Sequence, residues 1–431
     1  MKIFALILFI LMYVVMIAKQ QYRNHAAFAI AVIYILTGIL PLGKILSSIN
    51  WNVLFMLSGT MILVDYFIAS RMPNALADFL LDHSKNVMMV TIFMSLFSGI
   101  ISAFIDNVAT VLMVAPVGLA ICKKLNISPV PMVLSIAVSS NLQGAATLVG
   151  DTTSILLGDY AKMDFLSFFF MHGKPGIFFA VELGAMATIP IMVFLFRKDR
   201  DPIDVKERTE VTNYVPTIFL IAMVVALIVA SFIPNKPDIT NGIICLTLAF
   251  IMMGLDYLRA YFKEKRTGKD ARTHIPTALK NVDMETLALL GCLFIVIAGI
   301  TEVGIVSDFA DFIVRVGGNN LFVLYTVIVW GSVFISAFVD NIPYVATMLP
   351  VLSAVTGTLG IEPYLLYFGL LSGATLGGNL TPFGASANIA GAGLLRKHGY
   401  EVTFRDFARI GIPFTLTAVI VAYIFLWLVW T

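Results

Sequence analysis

A series of apolar segments, each long enough to cross a lipid bilayer, constrains the fold of this 431-residue chain more than any other feature. A helix needs about 17–25 residues to cross a hydrocarbon core of roughly 30 Å. Ten segments of suitable length occur, near residues 3–18, 26–43, 51–69, 128–149, 175–196, 215–233, 239–256, 284–301, 363–381 and 409–430. Because backbone groups in lipid must be hydrogen-bonded within the protein, these segments predict an all-α polytopic membrane protein surrounded by lipid.

Two further apolar segments, 88–122 and 321–355, are too long for a single crossing and are interrupted at Asp106-Asn107 and Asp340-Asn341. Each is predicted to form a re-entrant helical hairpin with the Asp-Asn pair at its tip. A carboxylate at membrane depth costs at least about 2.5–3.5 kcal/mol on insertion scales, so two such acids require a common reason. The alternative is that each Asp-Asn pair only caps a helix or marks a packing defect.

The sequence around the first hairpin tip is repeated in the second half of the chain. Residues 102–108 read SAFIDNV and residues 336–342 read SAFVDNI, with an offset of 340 − 106 = 234. The same offset relates further pairs: Pro116 and Pro350, Gly144 and Gly378, Thr147 and Thr381, and Gly150 and Gly384. Residues 77–79 and 310–312 both read ADF, at an offset of 233. The chain is therefore predicted to contain two homologous halves.

Each half is predicted to contain five crossings and one re-entrant hairpin. An odd number of crossings inserts the second half in the opposite orientation, which predicts inverted-topology repeats. Inverted repeats with broken helices that meet at the bilayer midplane are typical of secondary transporters. The predicted organisation is a first repeat over 1–198, a cytoplasmic linker over 199–214 and a second repeat over 215–431.

The distribution of lysine and arginine predicts the orientation of the chain. Loops 197–214 and 257–281 contain 5 and 7 of the 28 Lys and Arg residues. Positively charged loops remain in the cytoplasm, so both loops are predicted there, together with residues 123–124 and 396–409. The predicted location is the inner (plasma) membrane, as a multi-pass protein with both termini on the opposite side.

Each hairpin is followed by an apolar crossing that breaks at a segment rich in Gly, Thr and Asn. Glycine permits a helix to unwind, the freed carbonyls can coordinate a cation, and hydroxyl and amide groups can bind a solute. The predicted binding residues of the first half are Asp106, Asn107, Gly144, Thr147, Gly150, Asp151, Thr152, Thr153 and Ser154. Those of the second half are Asp340, Asn341, Gly378, Asn379, Thr381, Gly384, Ser386 and Asn388. The alternative for the Gly-rich segments is a small-residue surface for close helix packing.

The four hairpin-tip residues Asp106, Asn107, Asp340 and Asn341 are also candidate ligands of a sodium ion. Asp65 and Glu182 are secondary candidates for coupling. No Lys or Arg lies deep within a predicted crossing, so an anionic substrate is expected to rely on helix N-termini, hydroxyls or co-bound cations.

Other classes of function are disfavoured by composition and motifs. The net charge of +2 is too small to indicate a nucleic-acid partner. All five His residues fall at span ends or in loops, and the chain has no HExxH, GxSxG or P-loop motif, so no enzyme is predicted. Cys122, Cys245 and Cys292 are scattered singly and are interpreted as packing residues. No cofactor is predicted beyond Na⁺ or H⁺ as coupling ion.

The two hairpin tips, the TLVGD segment at 147–151 and the GASAN segment at 384–388, followed by KHGY at 397–400, resemble the ion transporter superfamily. The resemblance covers essentially the whole chain and lies with citrate-transporter-like permeases, in the branch of arsenite permeases, D-type sodium/proton antiporters and the P protein. It implies a homodimer with an elevator-type transport domain.

In the sodium/dicarboxylate branch of that superfamily, the hairpin tips carry Ser-Asn-Thr and contribute to sodium and carboxylate binding. Residues 106–108 and 340–342 occupy those places here as Asp-Asn-Val and Asp-Asn-Ile. These departures disfavour dicarboxylate or citrate symport.

Two carboxylates near one another at low dielectric tend to bind a proton or recruit a cation. The sequence therefore predicts a secondary active transporter of a small inorganic ion, oxyanion or weak acid, coupled to H⁺ or Na⁺. A Na⁺/H⁺ antiporter is the main alternative. Dicarboxylate or citrate symport and a passive channel are less favoured.

Overall fold

The computed structural model describes residues 1–202, 209–267, 277–318 and 320–431. Parts of the predicted linker 199–214 and of the loop 257–281 lie outside these residues. The helices of the first half are α1 Lys2–Ala18, α2 Arg23–Leu36, α3 Ile45–Ser48, α4 Trp51–Ala69, α5 Met72–Asp82, α6 Val87–Ser102, α7 Asn107–Lys124, α8 Val130–Gln143, α9 Thr152–Tyr160 and α10 Ile177–Phe196.

The helices of the second half are α11 Val215–Ala230, α12 Thr240–Thr267, α13 Thr277–Asn281, α14 Met284–Glu302, α15 Ile305–Gly317, α16 Leu321–Ser336, α17 Asn341–Leu359, α18 Tyr364–Gly377, α19 Ser386–Lys397 and α20 Phe404–Trp430. The described residues contain one small antiparallel ribbon, β1 Phe170–Met171 with β2 Lys174–Pro175. The prediction of an all-α polytopic membrane protein is confirmed.

Seven of the described helices are long and apolar enough to cross a membrane alone. Five of them, α4, α10, α12, α14 and α20, coincide with predicted crossings, and the other two are α7 and α17. The remaining five predicted crossings are helices of 14–17 residues. Helices α8 and α18 are short because the chain breaks after them and continues as α9 and α19, so neither crossing is completed by a single helix.

The two predicted hairpins are present as α6–α7 and α16–α17. Each turns within four residues between its two arms, at 103–106 and 337–340. The second arm begins immediately after the aspartate, whose side chain accepts hydrogen bonds from the first backbone N–H groups of that arm. Asp106 and Asp340 are therefore helix N-caps, a role for which a short acidic side chain is well suited.

The element order repeats from α4–α10 to α14–α20, apart from the ribbon before α10. Helix α4 begins at Trp51 and α14 at Met284, an offset of 284 − 51 = 233. The hairpins, α8 with α18, and α9 with α19 follow at an offset of 234. The amphipathic helices α5 and α15 belong to the repeat but were not predicted, because 11 and 13 residues are too few to cross a bilayer.

Polar contacts divide the ends of the helices into two groups. In the first group, Ser70 accepts from the backbone N–H of Thr212, and Asp78 accepts from that of Thr209. The second group contains the ion pairs Lys2–Asp308, Lys44–Glu302, Lys162–Asp238 and Lys236–Asp164. The first group includes residues of the linker that is predicted to be cytoplasmic, and the second includes Lys2, next to the terminus that is predicted to lie on the opposite side.

Contacts between α4 and its equivalent helix α14 reveal the inversion of the repeats. Near the end of α4, Asp65 accepts from Asn281, just before α14 begins, whereas Glu302 at the end of α14 pairs with Lys44, just before α4 begins. These two equivalent helices therefore run in opposite directions. Helix α4 packs on α12, and α14 packs on α2. A glycine allows close approach in each pair, since a Cβ on Gly59 would lie 2.4 Å from the backbone carbon of Cys245 and one on Gly299 would lie 2.4 Å from the ring of Tyr34.

Candidate functional site

The tip of the first hairpin borders a cavity of about 410 Å³ that both polar and apolar side chains line. The cavity lies between the helices α2, α4 and α14 on one side and α7, α9, α17 and α19 on the other. Its polar lining consists of Arg23, Thr60, Asp65, Asp106, Asn107, Asp151, Thr152, Asn281, Asp283, Thr286, Asn341 and Ser386. The exposed side chains of Asn281 and Asp283 are part of this lining, next to the loop that is predicted to be cytoplasmic. We call this the tip cavity.

Asp106 presents a carboxylate to the tip cavity. Its Oδ1 accepts hydrogen bonds from the backbone N–H groups of Val108 at 3.0 Å and Ala109 at 3.1 Å. Within the described chain, neither a hydrogen bond to its Oδ2 nor an ion pair to this side chain is present. One oxygen therefore holds the start of α7, and the other is available to a ligand in the cavity.

Asp340, the equivalent residue of the second hairpin, has a different environment. Its Oδ1 accepts from the backbone N–H of Ile342, as in the first half. Its Oδ2 accepts from Arg23 Nη1 and from Ser386 Oγ, both at 2.8 Å. The side chains of Arg23 and Asp340 are only 25% and 10% exposed.

The site contains one basic residue, Arg23, although no Lys or Arg lies deep within a predicted crossing. Arg23 begins α2 and precedes the apolar part of that helix, so its sequence position indicated a loop residue. Its long side chain nevertheless reaches the second hairpin tip, because α2 packs beside α14 and close to α17.

Asp151 connects the first helix break to the second hairpin. It is 2% exposed, and its Oδ2 accepts from Thr153 Oγ1 at 2.7 Å and from Asn341 Nδ2 at 3.3 Å. The position equivalent to Asp151 in the second half is Ala385, at the offset of 234. The tip cavity thus contains an additional acid that the repeat does not duplicate.

Buried amides join the two halves behind the cavity. Asn107 donates to Asn141 Oδ1 at 3.0 Å, and Asn141 donates to the Thr375 carbonyl at 2.6 Å and to Asn379 Oδ1 at 3.1 Å. Asn388 also donates to Asn379 Oδ1, at 3.0 Å. Asn388 Oδ1 is buried and has no donor among the described residues. A buried oxygen of this kind is expected to bind a water or an ion.

The glycines and the equivalent threonines of the two breaks hold the backbone of each break against a hairpin tip. Thr147 Oγ1 donates to the Ala103 carbonyl, and Thr381 Oγ1 donates to the Ala337 carbonyl. A Cβ on Gly150 would lie 2.6–2.8 Å from three backbone oxygens, and one on Gly384 would lie 2.5–2.9 Å from the three equivalent oxygens.

The structure places all but one of the predicted binding residues in one of two sets, and Asp340 is the exception. Lining the tip cavity are Asp106, Asn107, Asp151, Thr152, Asn341 and Ser386, together with the secondary candidate Asp65. Behind it, in buried contacts of the breaks, lie Gly144, Thr147, Gly150, Thr153, Ser154, Gly378, Asn379, Thr381, Gly384 and Asn388. Asp340 faces Arg23 and Ser386, and Glu182 lies in α10 away from the cavity.

Several residues of the site were not predicted from the sequence. Arg23 and Asp283 were not among the predicted binding residues, although both border the tip cavity. Asn141 was not chosen, although it contacts both halves. Its signal was available, since it immediately precedes the first break and aligns with Thr375 at the offset of 234.

A second cavity, of about 420 Å³, lies toward the other end of α14. Its lining includes Lys44, Asn50, Tyr160, Thr301 and Glu302. Helices α9 and α17 border both cavities: Thr152 and Asn341 face the tip cavity, whereas Leu156 and Ala346 face the second. About one helical turn of each therefore separates the cavities.

The two cavities predict labelling from opposite sides of the membrane. We expect a thiol at Asn281→Cys to react with an impermeant maleimide only in inside-out vesicles, and one at Thr301→Cys only in right-side-out vesicles. Both positions are exposed and line different cavities. The background replaces Cys122, Cys245 and Cys292 by alanine, to remove native thiols. Reaction of both thiols from one side would overturn the topology.

Removal of Asn141 is expected to destabilise the junction between the halves. The Asn141→Ala variant leaves the buried amide of Asn107 without its acceptor and removes a donor from the Thr375 carbonyl, whereas Asn379 Oδ1 keeps the bond from Asn388. Each buried orphan costs about 1–3 kcal/mol, so a clearly lower melting temperature in detergent is expected. Thr358→Ala is the control, because this exposed hydroxyl bonds only within its own helix. Equal melting of both variants would contradict the prediction.

Two inverted repeats, with acid-bearing hairpin tips that meet broken helices beside a cavity lined by four aspartates, define a membrane transport protein. The chain belongs to the citrate transporter family, which it matches over residues 7–264 and 269–431. An uncharacterized transporter of Mycobacterium bovis is 29% identical over 99% of this chain and 98% of its own.

The human P protein is 23% identical over 96% of this chain and 58% of its own length. This confirms the resemblance to the P protein branch. The crystal structure of the YdaH transporter of Alcanivorax borkumensis has a TM-score of 0.59 at 12% identity, covering 92% of this chain and 88% of that chain. This likeness shows a shared fold.

Proposed function

We propose that the protein is a secondary active transporter that couples movement of a small inorganic ion, oxyanion or weak acid to a gradient of H⁺ or Na⁺. The observation that carries the proposal is the Asp106 carboxylate, which has one unpartnered oxygen facing the tip cavity. A partly buried carboxylate in this situation favours binding of a proton or a cation. We assign it to the inner membrane, with the tip cavity open to the cytoplasm.

Alternating access is supported by the two cavities on either side of α9 and α17. A solute in the tip cavity is separated from the second cavity by buried side chains that include Ile155 and Val345. This arrangement disfavours a passive channel. The homodimer and the elevator-type movement implied by the resemblance are part of the proposal.

A Na⁺/H⁺ antiporter is the second candidate, favoured by the charge of the tip cavity. Asp65, Asp106, Asp151 and Asp283 line it, and its one basic lining residue within the described chain is Arg23, which is already paired with Asp340. Four carboxylates attract cations and repel an uncompensated anion. Citrate, the substrate named for the family, would therefore need co-bound cations to enter this cavity.

Uptake by purified protein in proteoliposomes tests the proposal. We expect concentrative, saturable uptake of at least one of arsenite, silicate, phosphate, citrate or sodium when a pH or sodium gradient is imposed. Abolition of the gradient by an ionophore should reduce uptake to the level of protein-free vesicles. Uptake that continues without any gradient and does not saturate would indicate a channel.

A further inference from the structure

The two hairpin tips are equivalent in sequence but differ in what neutralises their aspartates. At both tips Oδ1 caps the second arm of the hairpin. At the second tip Oδ2 binds the guanidinium of Arg23 and the hydroxyl of Ser386. At the first tip the residue equivalent to Ser386 is Thr152, which also lines the tip cavity, and no basic side chain of the described chain pairs with Asp106.

We propose that Arg23 is a built-in counter-cation for Asp340, so that the first tip alone, at Asp106, takes up a mobile cation. The inference rests on the proposed cation coupling and adds which tip binds the ion. At the second tip, the guanidinium of Arg23 provides the positive charge and is covalently part of the chain. At the first tip, a cation that enters the tip cavity from solution must provide it. The groups that face the mobile cation are Asp65, Asp151 and Asp283, with Arg23 held away by its own pair.

The polar contacts of the second hairpin support a fixed role for that tip. Tyr13 of α1 donates to the Pro343 carbonyl at 2.8 Å and lies 2.7 Å from Thr347 Oγ1. Together with the Arg23–Asp340 pair, these bonds tie α17 to α1 and α2. Asp340 is thus enclosed between two elements, whereas Asp106 borders open space.

Transport measured against cation concentration tests this assignment. The Arg23→Gln variant exposes a second unpaired carboxylate, so we expect a steeper cation dependence, with the Hill coefficient rising from about one toward about two. The double variant Arg23→Gln/Asp340→Asn removes both charges and should return the dependence to that of the unaltered protein. Asp340→Asn alone leaves Arg23 buried without a counter-charge, and it should be at least about tenfold less active than the double variant.

Two results would overturn the inference. One is a folded double variant that is as inactive as Asp340→Asn, because Asp340 would then be a cation site itself. The other is an unchanged Hill coefficient in Arg23→Gln. Melting temperatures of the same four proteins test the pair without transport: each single variant should be less stable than the double. If the unaltered protein shows no cation-driven transport, the proposed function is wrong. If the unaltered protein is active and the double variant is inactive, only the role of Arg23 as a counter-cation is rejected.

Discussion

The Asp106→Asn variant is expected to fold and to lose gradient-driven transport, down to the level of protein-free vesicles. Asparagine retains an oxygen that accepts from the backbone N–H groups of Val108 and Ala109, and it caps helices as well as aspartate does. The negative charge and the site of protonation are removed. Since a neutral side chain inserts into a membrane more readily than a charged one, loss of transport is not attributable to poor insertion.

Asp82→Asn is the matched control for this variant. Asp82 is exposed at the end of α5, away from the tip cavity. We expect its transport to equal that of the unaltered protein, by initial rates of uptake at matched protein content. Concentrative transport by Asp106→Asn at a comparable rate would place coupling at another group, of which Asp151 is the next to test.

The Gly150→Ala variant is expected to lose at least about 3 kcal/mol of stability, at or beyond the upper end of the usual cost of overpacking. The new Cβ would lie 2.6 Å from the Gly144 oxygen, 2.7 Å from that of Ser102 and 2.8 Å from that of Ala103. These are backbone atoms of the break and of the hairpin, and they cannot move aside as a flexible side chain can. Gly384→Ala should behave alike, since its contacts are equivalent.

Gly254→Ala provides the control for both glycine variants. A Cβ at this position of α12 meets nothing within 4 Å, and alanine is the better helix former. Scanning fluorimetry in detergent should therefore give a strongly lowered melting temperature for Gly150→Ala and an unchanged or slightly raised one for Gly254→Ala. Similar melting of the two variants would show that the tip and the break are not closely packed.

The duplicated SAFIDN and SAFVDN segments predicted both hairpins and the position of both aspartates. They did so because a charged residue within an apolar segment is costly and its repetition marks a common structure. The helices α5 and α15 were not predicted, although the shared Ala-Asp-Phe sequence lies within both. A search for membrane crossings depends on apolar length, which these amphipathic helices lack.

The different pairing of Asp106 and Asp340 could not be predicted from the sequence. It depends on Arg23, which lies 317 residues from its partner Asp340. The repeat makes the two acids look equivalent, and they are distinguished only by the packing of α2 on α14, from which the Arg23 side chain reaches the second tip. By contrast, the absence of a second Asp151 was visible, since the equivalent position is Ala385.

The Gly-rich breaks were interpreted either as binding segments or as packing surfaces, and the structure places different residues in each role. Gly150 and Gly384 provide close packing, whereas Thr152 and Ser386, each two residues further on, face the cavity or its bordering aspartate. Spacing alone could not separate these roles, because the chain changes direction between them.

Charge displacement on a solid-supported membrane tests cation binding in the tip cavity most directly. Proteoliposomes are exposed to a step in sodium or proton concentration, with no other substrate present. We expect a transient current that saturates with cation concentration in the unaltered protein and in Asp82→Asn, and none in Asp106→Asn. The absence of current with both ions, or an unchanged current in Asp106→Asn, would contradict this expectation.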